Sequence, residues 1–306
     1  MNLLPVYVVA GPTASGKTSF AIKLAENLRK KGILSEIVNA DSIQLYNELK
    51  ILTAFPSSDE IHQVAHHLFG IIDPFELYSV AKWKQVAEKK IDELHSQGKI
   101  PILFGGTGFY LNSIINGIAK IPDIPENFRK EVFEKFQKFG REEFVDQLRK
   151  LDPENKLNPN NTQRILRAYE VVSFTGKPLS YWWNQGNNSK YDNIKAVVLL
   201  LPKKKLWENI LKRANQMIDG GAVDEVQEFL SRYPNYKGPL DRVIGFSEIQ
   251  DFLNKKISKK ELIERMFVRT RQYAKRQSTW FRHQMPEAIF LKTGTHYTDF
   301  ADFLIF

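Results

Sequence analysis

Residues 11–18 constrain the fold of this chain most strongly, because they read Gly-Pro-Thr-Ala-Ser-Gly-Lys-Thr, the phosphate-binding pattern G-x-x-x-x-G-K-[ST]. An apolar run over residues 6–10 precedes the pattern, and an amphipathic stretch over residues 20–30 follows it. This succession predicts a strand, a glycine-rich turn and a helix, a setting in which backbone N–H groups bind phosphate oxygens. We expect the Lys17 ammonium group to reach a terminal phosphate and the Thr18 hydroxyl group to bind Mg²⁺.

The first 115 residues alternate between short apolar runs and amphipathic stretches, such as residues 80–96. This alternation predicts a parallel sheet covered by helices, an α/β fold of the P-loop NTPase-like class. Ligands of such sheets bind at the carboxyl ends of the strands. The predicted strands comprise residues 6–10, 36–40, 100–104 and 196–201.

Residues 121–190 have a different pattern, in which predicted helices follow one another with no strand between them. We therefore predict an inserted all-helical domain over residues 121–190. Residues 1–120 and 191–306 then form the catalytic core. The helices predicted after residue 120 comprise residues 128–139, 142–151, 161–174, 206–230 and 259–281.

The composition is that of a globular enzyme, with 42% hydrophobic and 26% charged residues. The chain has no cysteine, which excludes disulfides and thiolate chemistry. The apolar residues 3–10 are too few to span a membrane, and they run directly into the phosphate-binding pattern. We therefore expect a cytoplasmic protein with no membrane segment.

The predicted strand over residues 100–104 lacks a feature that most phosphate-loop enzymes need. Enzymes that hydrolyse or transfer a phosphoryl group usually place a second carboxylate at the end of a hydrophobic strand. Here the strand ends in Gly105-Gly106-Thr107, and no acidic residue follows it. A motor protein or GTPase is therefore disfavoured, whereas a small-molecule kinase stays an alternative.

Asp41 follows the predicted strand over residues 36–40. A carboxylate at this edge can take a proton from an attacking nucleophile. It can equally cap the turn that follows, because Asp is favoured at such positions. The neighbouring side chains of Ser42, Gln44 and Tyr46 could read the edge of a base or satisfy their own loop.

The C-terminal part of the chain carries most of the net charge of +9. Between Lys237 and Lys292 there are 13 Lys and Arg residues against 6 Asp and Glu residues. Aromatic side chains, among them Tyr273 and Trp280, are interleaved with these cations. The combination suits single-stranded RNA, whose phosphates attract cations and whose bases stack on aromatic rings, but an ordinary solvated helix face remains an alternative.

Taken together, these motifs resemble those of the tRNA dimethylallyltransferases, also called tRNA isopentenyltransferases. The resemblance runs in order from residue 5 to about residue 285. The motifs that carry it are Gly11–Thr18 (GPTASGKT), Asp41–Tyr46 (DSIQLY), His66-His67-Leu68, Asp73-Pro74, Gly105–Tyr110 (GGTGFY), Asn161–Arg167 (NTQRILR) and Arg271–Arg282 (RQYAKRQSTWFR).

The resemblance implies that the chain transfers a dimethylallyl group from dimethylallyl diphosphate to N6 of adenosine 37 in tRNA. It implies Mg²⁺ as the cofactor, the tRNA anticodon stem-loop as the partner, and a monomer. The phosphate loop would then bind the diphosphate leaving group rather than a nucleotide. The residues implied to hold the diphosphate are Gly11, Pro12, Thr13, Ala14, Ser15, Gly16, Lys17 and Thr18, with Mg²⁺ on Thr18.

The same resemblance implies the other site residues. Asp41 would accept the N6 proton, and Thr107 would contact the same reacting region. The residues implied to contact tRNA are Asp41, Ser42, Ile43, Gln44, Thr107, Arg129, Gln163, Arg164, Arg167, Lys275, Arg276, Gln277, Thr279, Trp280 and Arg282.

One motif departs from the family pattern. The chain has Gly245-Phe246-Ser247-Glu248, where the family usually has a Lys or Arg at the third position. Arg242 is a candidate for the missing charge. A metal site at His62, His66 and His67 is disfavoured, because the family gives these residues no zinc role.

Three other functions remain as alternatives. An adenylate isopentenyltransferase would share the phosphate loop, but it needs neither an RNA-binding insertion nor a basic C-terminal helix. A small-molecule kinase would transfer phosphate from ATP. A non-catalytic RNA-binding protein would have no reason to keep Lys17, Thr18, Asp41 and Thr107.

Overall fold

A computed structural model describes residues 4–154, 158–185 and 188–292 of the chain. The chain divides into two compact units, one formed by Met1–Ile115 and Lys190–Phe306 and the other by Asn116–Ser189. The first unit contains a parallel sheet with helices against it, which confirms the predicted α/β class. The second unit is helical.

The sheet has six parallel strands, which are β1 Val6–Ala10, β2 Ser35–Asn39, β3 His66–His67, β4 Ile100–Gly105, β5 Ile194–Leu200 and β6 Ile289–Lys292. The central strand β1 is buried at all five residues, so it reads as a continuous apolar run. In the register, Ala10 lies beside Gly105 on one side and Val198 on the other. The order of the strands across the sheet is β3-β2-β4-β1-β5-β6.

Helices of the first unit cover both faces of the sheet. Side chains of β1 alternate between the two faces. Tyr7 and Val9 pack with helix α1, Lys17–Lys30, while Val6 and Val8 face the larger hydrophobic cluster on the other side. That larger cluster includes Trp83, whose Nε1 donates to the backbone oxygen of Asn39 at 3.0 Å. The helices are α1 Lys17–Lys30, α2 Ser58–Gln63, α3 Val80–Ser96, α4 Gly108–Ile115, α8 Lys203–Asp219, α9 Ala222–Arg232, α10 Phe246–Leu253 and α11 Lys259–Gln284, with a short 3₁₀ helix at Pro239–Arg242.

The predicted helix over residues 206–230 is wrong in one respect, because two helices, α8 and α9, occupy this stretch. The break lies at Gly220-Gly221, where Gly221 has a φ of 98° in the left-handed region. A right-handed helix cannot continue through that conformation, which glycine adopts readily.

The second unit has a small core of its own. Its helices are α5 Glu126–Leu151, α6 Thr162–Thr175 and α7 Leu179–Asn184. Gly140 interrupts α5 with a φ of 81°, at the boundary between the two helices predicted there. Phe144, Leu148 and Ile165 are buried in the core, and the buried Asp152 accepts hydrogen bonds from the backbone and hydroxyl groups of Ser180.

Among the described residues, none of the helices combines the length and apolar composition needed to cross a bilayer.

Candidate active site

A cavity of about 980 Å³ lies in the first unit, where three strand ends meet. Its walls include the phosphate loop after β1, Asp41–Gln44 after β2, and Phe104-Gly105 at the end of β4. Residues of α8, α11 and the loop over residues 51–56 also line it. The parallel sheet thus brings the phosphate loop and Asp41 to one cavity.

The phosphate loop is held in a strained conformation from two sides. Ala14 has a φ of 61°, a left-handed conformation that is uncommon for a residue with a Cβ atom. The Asn209 side chain on α8 donates to the Ala14 carbonyl at 3.1 Å. The backbone N–H of Thr13 donates to Oε1 of Gln277 on α11 at 2.9 Å. Bonds from two helices therefore fix a backbone shape that its own residues would not favour.

Lys17 is the first residue of α1, and its Nζ donates to the backbone oxygen of Pro12 at 2.9 Å. Burial lowers the pKa of Lys17 to about 7, against the opposing attraction of Asp41. The buried hydroxyl of Ser15 has no hydrogen-bond partner among the described residues. An ammonium group and an unsatisfied hydroxyl in one loop suit an anionic ligand with several oxygens.

Asp41 is positioned by the fully buried Asn39 at the end of β2. The side-chain oxygen of Asn39 accepts from the Asp41 backbone N–H at 2.8 Å, and its amide nitrogen donates to the carbonyls of Leu68 and Asp41. Oδ1 of Asp41 accepts from the Ile43 backbone N–H at 3.1 Å. Within the described residues, Oδ2 has no hydrogen-bond partner, so one oxygen stabilises the turn while the other stays available as a base.

The other residues predicted near the adenosine serve the loops. Oγ1 of Thr107 accepts from the backbone N–H of Ser42 at 2.9 Å and donates to its hydroxyl at 3.2 Å. Thr107 is not among the described residues that line the cavity, whereas Ser42 is. The buried Gln44 donates to the carbonyls of Thr53 and Ala54 at 3.1 and 2.7 Å, which fixes the loop over residues 51–56.

Positive charge dominates the cavity lining. Among the described residues, the acidic side chains of the lining are Asp41 and Glu60. The excess of positive charge favours a polyanionic ligand at this end of the sheet. The cationic side chains of the lining are Lys17, Lys212, Arg213, Arg242, Arg269 and Arg276.

Arg213 is a site residue that the sequence did not single out. It lines the cavity from α8, where burial lowers its pKa against the opposing attraction of Asp41 and Glu60. The guanidinium group nevertheless remains charged. A signal was present in the sequence, since Asn209, Arg213 and Gln216 form a polar stripe at helical spacing.

The departure at Ser247 is accompanied by a nearby cation. Nη1 of Arg269 donates to the Ser247 hydroxyl at 2.9 Å and to the Glu248 carboxylate at 2.5 Å. Arg269 lies on α11 and lines the cavity. Arg242, the candidate from the sequence, also lines it, but its side chain is 79% exposed and lies 4.0 Å from Asp241.

The predicted tRNA contacts on α11 divide by burial. The side chains of Lys275, Arg276, Thr279 and Arg282 are exposed. Gln277 instead is buried, with 7% of its surface exposed.

The predicted tRNA contacts of the second unit lie on α5 and α6. Arg129, Gln163 and Arg164 are exposed, and Arg167 forms an ion pair with Glu170 at 3.3 Å.

His66 and His67 belong to no group of three or more side chains that could hold a metal ion among the described residues. Nδ1 of His66 contacts the Val64 carbonyl at 2.7 Å, and Nε2 of His67 contacts the Glu36 carboxylate at 2.5 Å.

Comparison with protein families gives two matches. The family model described as IPP transferase matches residues 44–284, and the one described as isopentenyl transferase matches residues 4–71. The chain is 42% identical over 284 residues to a tRNA dimethylallyltransferase of Pelagibacter ubique, covering 92% of this chain and 89% of the relative. It is 41% identical to a tRNA dimethylallyltransferase of Zymomonas mobilis, with coverages of 93% and 89%.

Solved structures give the same grouping. A eukaryotic dimethylallyltransferase acting on tRNA aligns with a TM-score of 0.82 at 27% identity, over 98% of this chain and 75% of that one. The full-length tRNA isopentenylpyrophosphate transferase of Bacillus halodurans aligns with a TM-score of 0.70 at 30% identity, over 98% and 95% of the two chains.

The lowered pKa of Lys17 predicts that anion binding is linked to a proton. A bound diphosphate raises the pKa of Lys17 again, so at roughly pH 8 the site takes up a proton as inorganic diphosphate binds. The affinity therefore falls as the pH rises above about 7. Titration calorimetry in buffers of different ionisation enthalpy measures this proton uptake.

Two variants control this measurement. The Lys17→Met variant should lose the proton uptake, whereas Lys212→Met, which removes an exposed cation from the same lining, should keep it. Equal uptake by the wild type and Lys17→Met would mean that Lys17 is already charged in the free protein.

Proposed function

The chain belongs to the IPP transferase family, and we propose that it transfers the dimethylallyl group of dimethylallyl diphosphate to N6 of adenosine 37 in tRNA. One observation carries this proposal: the phosphate loop with Lys17 and the carboxylate of Asp41 line the same cavity, and one oxygen of that carboxylate accepts no hydrogen bond from the described residues. In the described residues, β4 ends in glycine with no acid to activate water or a phosphoryl acceptor.

We propose that the phosphate loop stabilises the departing diphosphate. Backbone N–H groups at the start of α1, the Lys17 ammonium group and the Arg213 guanidinium group supply positive charge where the leaving group gains negative charge. Stabilisation of developing charge by fixed donors is usually the largest contribution to catalysis. The strained loop is useful here because its donors are already oriented before the reaction.

Asp41 is proposed as the general base. The N6 amine attacks the first carbon of the dimethylallyl group, a carbon–nitrogen bond forms, and the bond from that carbon to the bridging oxygen breaks. The electron pair of the broken bond leaves with the diphosphate, and Oδ2 of Asp41 accepts the N6 proton. Asn39 keeps the carboxylate at the cavity through its bond to the Asp41 backbone.

The donor set at the phosphate loop fits Mg²⁺. The side chains of Thr18, Ser19 and Glu60, which line the cavity, offer oxygen atoms, which Mg²⁺ prefers. Among the described residues, no cluster of three acidic or histidine side chains could hold a metal alone. Thr18 would therefore hold the ion together with diphosphate oxygens and water, and the bound ion would neutralise charge on the diphosphate.

Recognition of tRNA is proposed for the exposed basic side chains. Lys275, Arg276 and Arg282 on α11 carry charge that can bind RNA phosphates, and Trp280 offers a ring for stacking. The adenosine has to leave the loop stack to reach Asp41. We extend the proposal to Arg129, Gln163, Arg164 and Arg167 of the second unit, which has a helical core of its own.

The reaction itself tests the proposal. The protein, Mg²⁺, dimethylallyl diphosphate and unmodified tRNA should yield N6-(dimethylallyl)adenosine, which nucleoside mass spectrometry detects after digestion. Parallel reactions replace the tRNA with AMP or supply ATP without the prenyl donor. Prenylated AMP with unmodified tRNA would instead indicate an adenylate isopentenyltransferase, and ATP-dependent phosphorylation would indicate a kinase.

Substitution of Asp41 separates chemistry from binding. In Asp41→Asn the side-chain oxygen can still accept from the Ile43 backbone N–H, but the amide cannot accept a proton. The single-turnover rate should fall by about 10²- to 10⁴-fold, while the dissociation constant for tRNA stays within about two-fold of the wild-type value. Asp41→Ala should lose at least as much activity. An unchanged single-turnover rate in both variants would rule out Asp41 as the base.

A further inference from the structure

Gln277 connects two loops that lie on different strands of the sheet. Its side-chain oxygen accepts from the backbone N–H of Thr13 in the phosphate loop at 2.9 Å. Its side-chain nitrogen donates to the backbone oxygen of Gly106, in the loop after β4, at 2.8 Å. One amide therefore joins the loop proposed to hold the diphosphate to the loop that carries Thr107.

The burial of Gln277 leaves this amide little access to solvent. Only 7% of the residue is exposed, and both polar atoms of its side chain are used in the two backbone bonds. Its neighbour Arg276 is exposed on the same helix. An RNA contact, the role that the resemblance implies for Gln277, needs exposed polar surface, which this buried amide largely lacks.

The glycines at the end of β4 and directly after it make room for this arrangement. A Cβ atom at Gly106 would lie 2.5 Å from the Gln277 side-chain nitrogen, and one at Gly108 would lie 2.2 Å from the Trp280 ring. A Cβ atom at Gly105 would lie 2.3 Å from the Ala40 carbonyl. None of the three has a positive φ, so the glycine-rich motif serves close approach rather than an unusual backbone conformation.

We propose that Gln277 is a positioning residue that fixes the phosphate loop relative to the loop beside Asp41. The same Gly106 Cβ position would lie 3.3 Å from Oδ2 of Asp41, so the bridge ends next to the proposed base. Through Thr13, Gln277 orients the donors for the diphosphate. Through Gly106, it fixes the backbone that precedes Thr107, which in turn bonds Ser42 beside Asp41.

Two substitutions at Gln277 test the bridge. Gln277→Ala removes both bonds, whereas Gln277→Glu keeps an acceptor for Thr13 and loses the donor to Gly106. In Gln277→Ala we expect kcat to fall by about 10²-fold and KM for dimethylallyl diphosphate to rise by about ten-fold, because small displacements of reacting groups are costly. In Gln277→Glu, whose carboxylate loses the donor to Gly106 and adds negative charge beside the anionic diphosphate, we expect kcat to fall at least as far and KM for the diphosphate to rise.

Neighbouring residues on α11 provide the controls. Ser278→Ala, which removes only a bond to the Ala274 carbonyl within the helix, should keep wild-type kinetics. Arg276→Ala should weaken tRNA binding, and more so at low salt. Both Gln277 variants should keep the wild-type dissociation constant for tRNA within about two-fold.

A double-mutant cycle tests the contact itself. Gly106→Ala should displace the Gln277 side chain and lower kcat, and the double variant with Gln277→Ala should lose less activity than the sum of the two single losses, because both changes disrupt the contact between Gln277 and Gly106. Fully additive losses would contradict the bridge. Unchanged kcat in both Gln277 variants, or a loss of tRNA affinity matching that of Arg276→Ala, would overturn the positioning role.

This inference rests on the proposed function, and binding measurements distinguish the two failures. If the wild type modifies no tRNA, the proposed function fails. The bridge is then judged by the affinity for inorganic diphosphate, which should fall by about ten-fold in Gln277→Ala and not in Ser278→Ala. Equal affinities in the wild type and Gln277→Ala would contradict the bridge independently of any reaction.

Discussion

The site depends on the parallel pairing of β1 with β4 and β5. Because the strands run in the same direction, their carboxyl ends lie at one edge, and the loops that follow them must meet there. Ala10 lies between Gly105 and Val198 in this register, so the phosphate loop starts directly beside the glycine-rich loop after β4. Strand β2, which Asp41 follows, also pairs with β4, so the proposed diphosphate site and the proposed base lie at the same edge of the sheet.

Side chains from α8 and α11 then fix what the sheet brings together. Asn209 and Gln277 bond the phosphate loop from two helices, and Arg269 bonds Ser247 and Glu248 across the start of α10. These polar bonds are long-range in the sequence: those of Asn209 and Gln277 connect a helix to the phosphate loop, and those of Arg269 connect α11 to the start of α10. The excess of positive charge in the cavity lining suits a polyanionic ligand, as the diphosphate of the proposed reaction is.

The sequence predicted the parts of the structure that depend on local patterns. Strands β1, β2, β4 and β5 and the phosphate loop follow from apolar runs and from a motif with a defined geometry. The two-residue β3 and the short β6 escaped prediction, because strands of two and four residues have too few positions for a pattern. The break between α8 and α9 depended on the conformation of one glycine, Gly221.

The candidate site was predictable where the chain carries a motif and unpredictable where only the fold decides. Gln277 belongs to a segment for which the resemblance implied tRNA binding, whereas its burial and its backbone partners 171 and 264 residues away support the positioning role proposed above. Arg213 belongs to none of the motifs, and although the polar stripe with Asn209 and Gln216 marks its face of α8, only the packing of α8 against the phosphate loop places it at the site.

The central claim is that the phosphate loop holds a leaving group, so the bond that breaks is the one between carbon and the bridging oxygen. Dimethylallyl diphosphate labelled with a heavy oxygen isotope at the bridging position tests this directly, with mass spectrometry of all products. The account predicts that the label is recovered entirely in inorganic diphosphate, while the modified adenosine carries none. Label in dimethylallyl alcohol, or phosphate attached to the tRNA, would show cleavage at phosphorus and contradict the account.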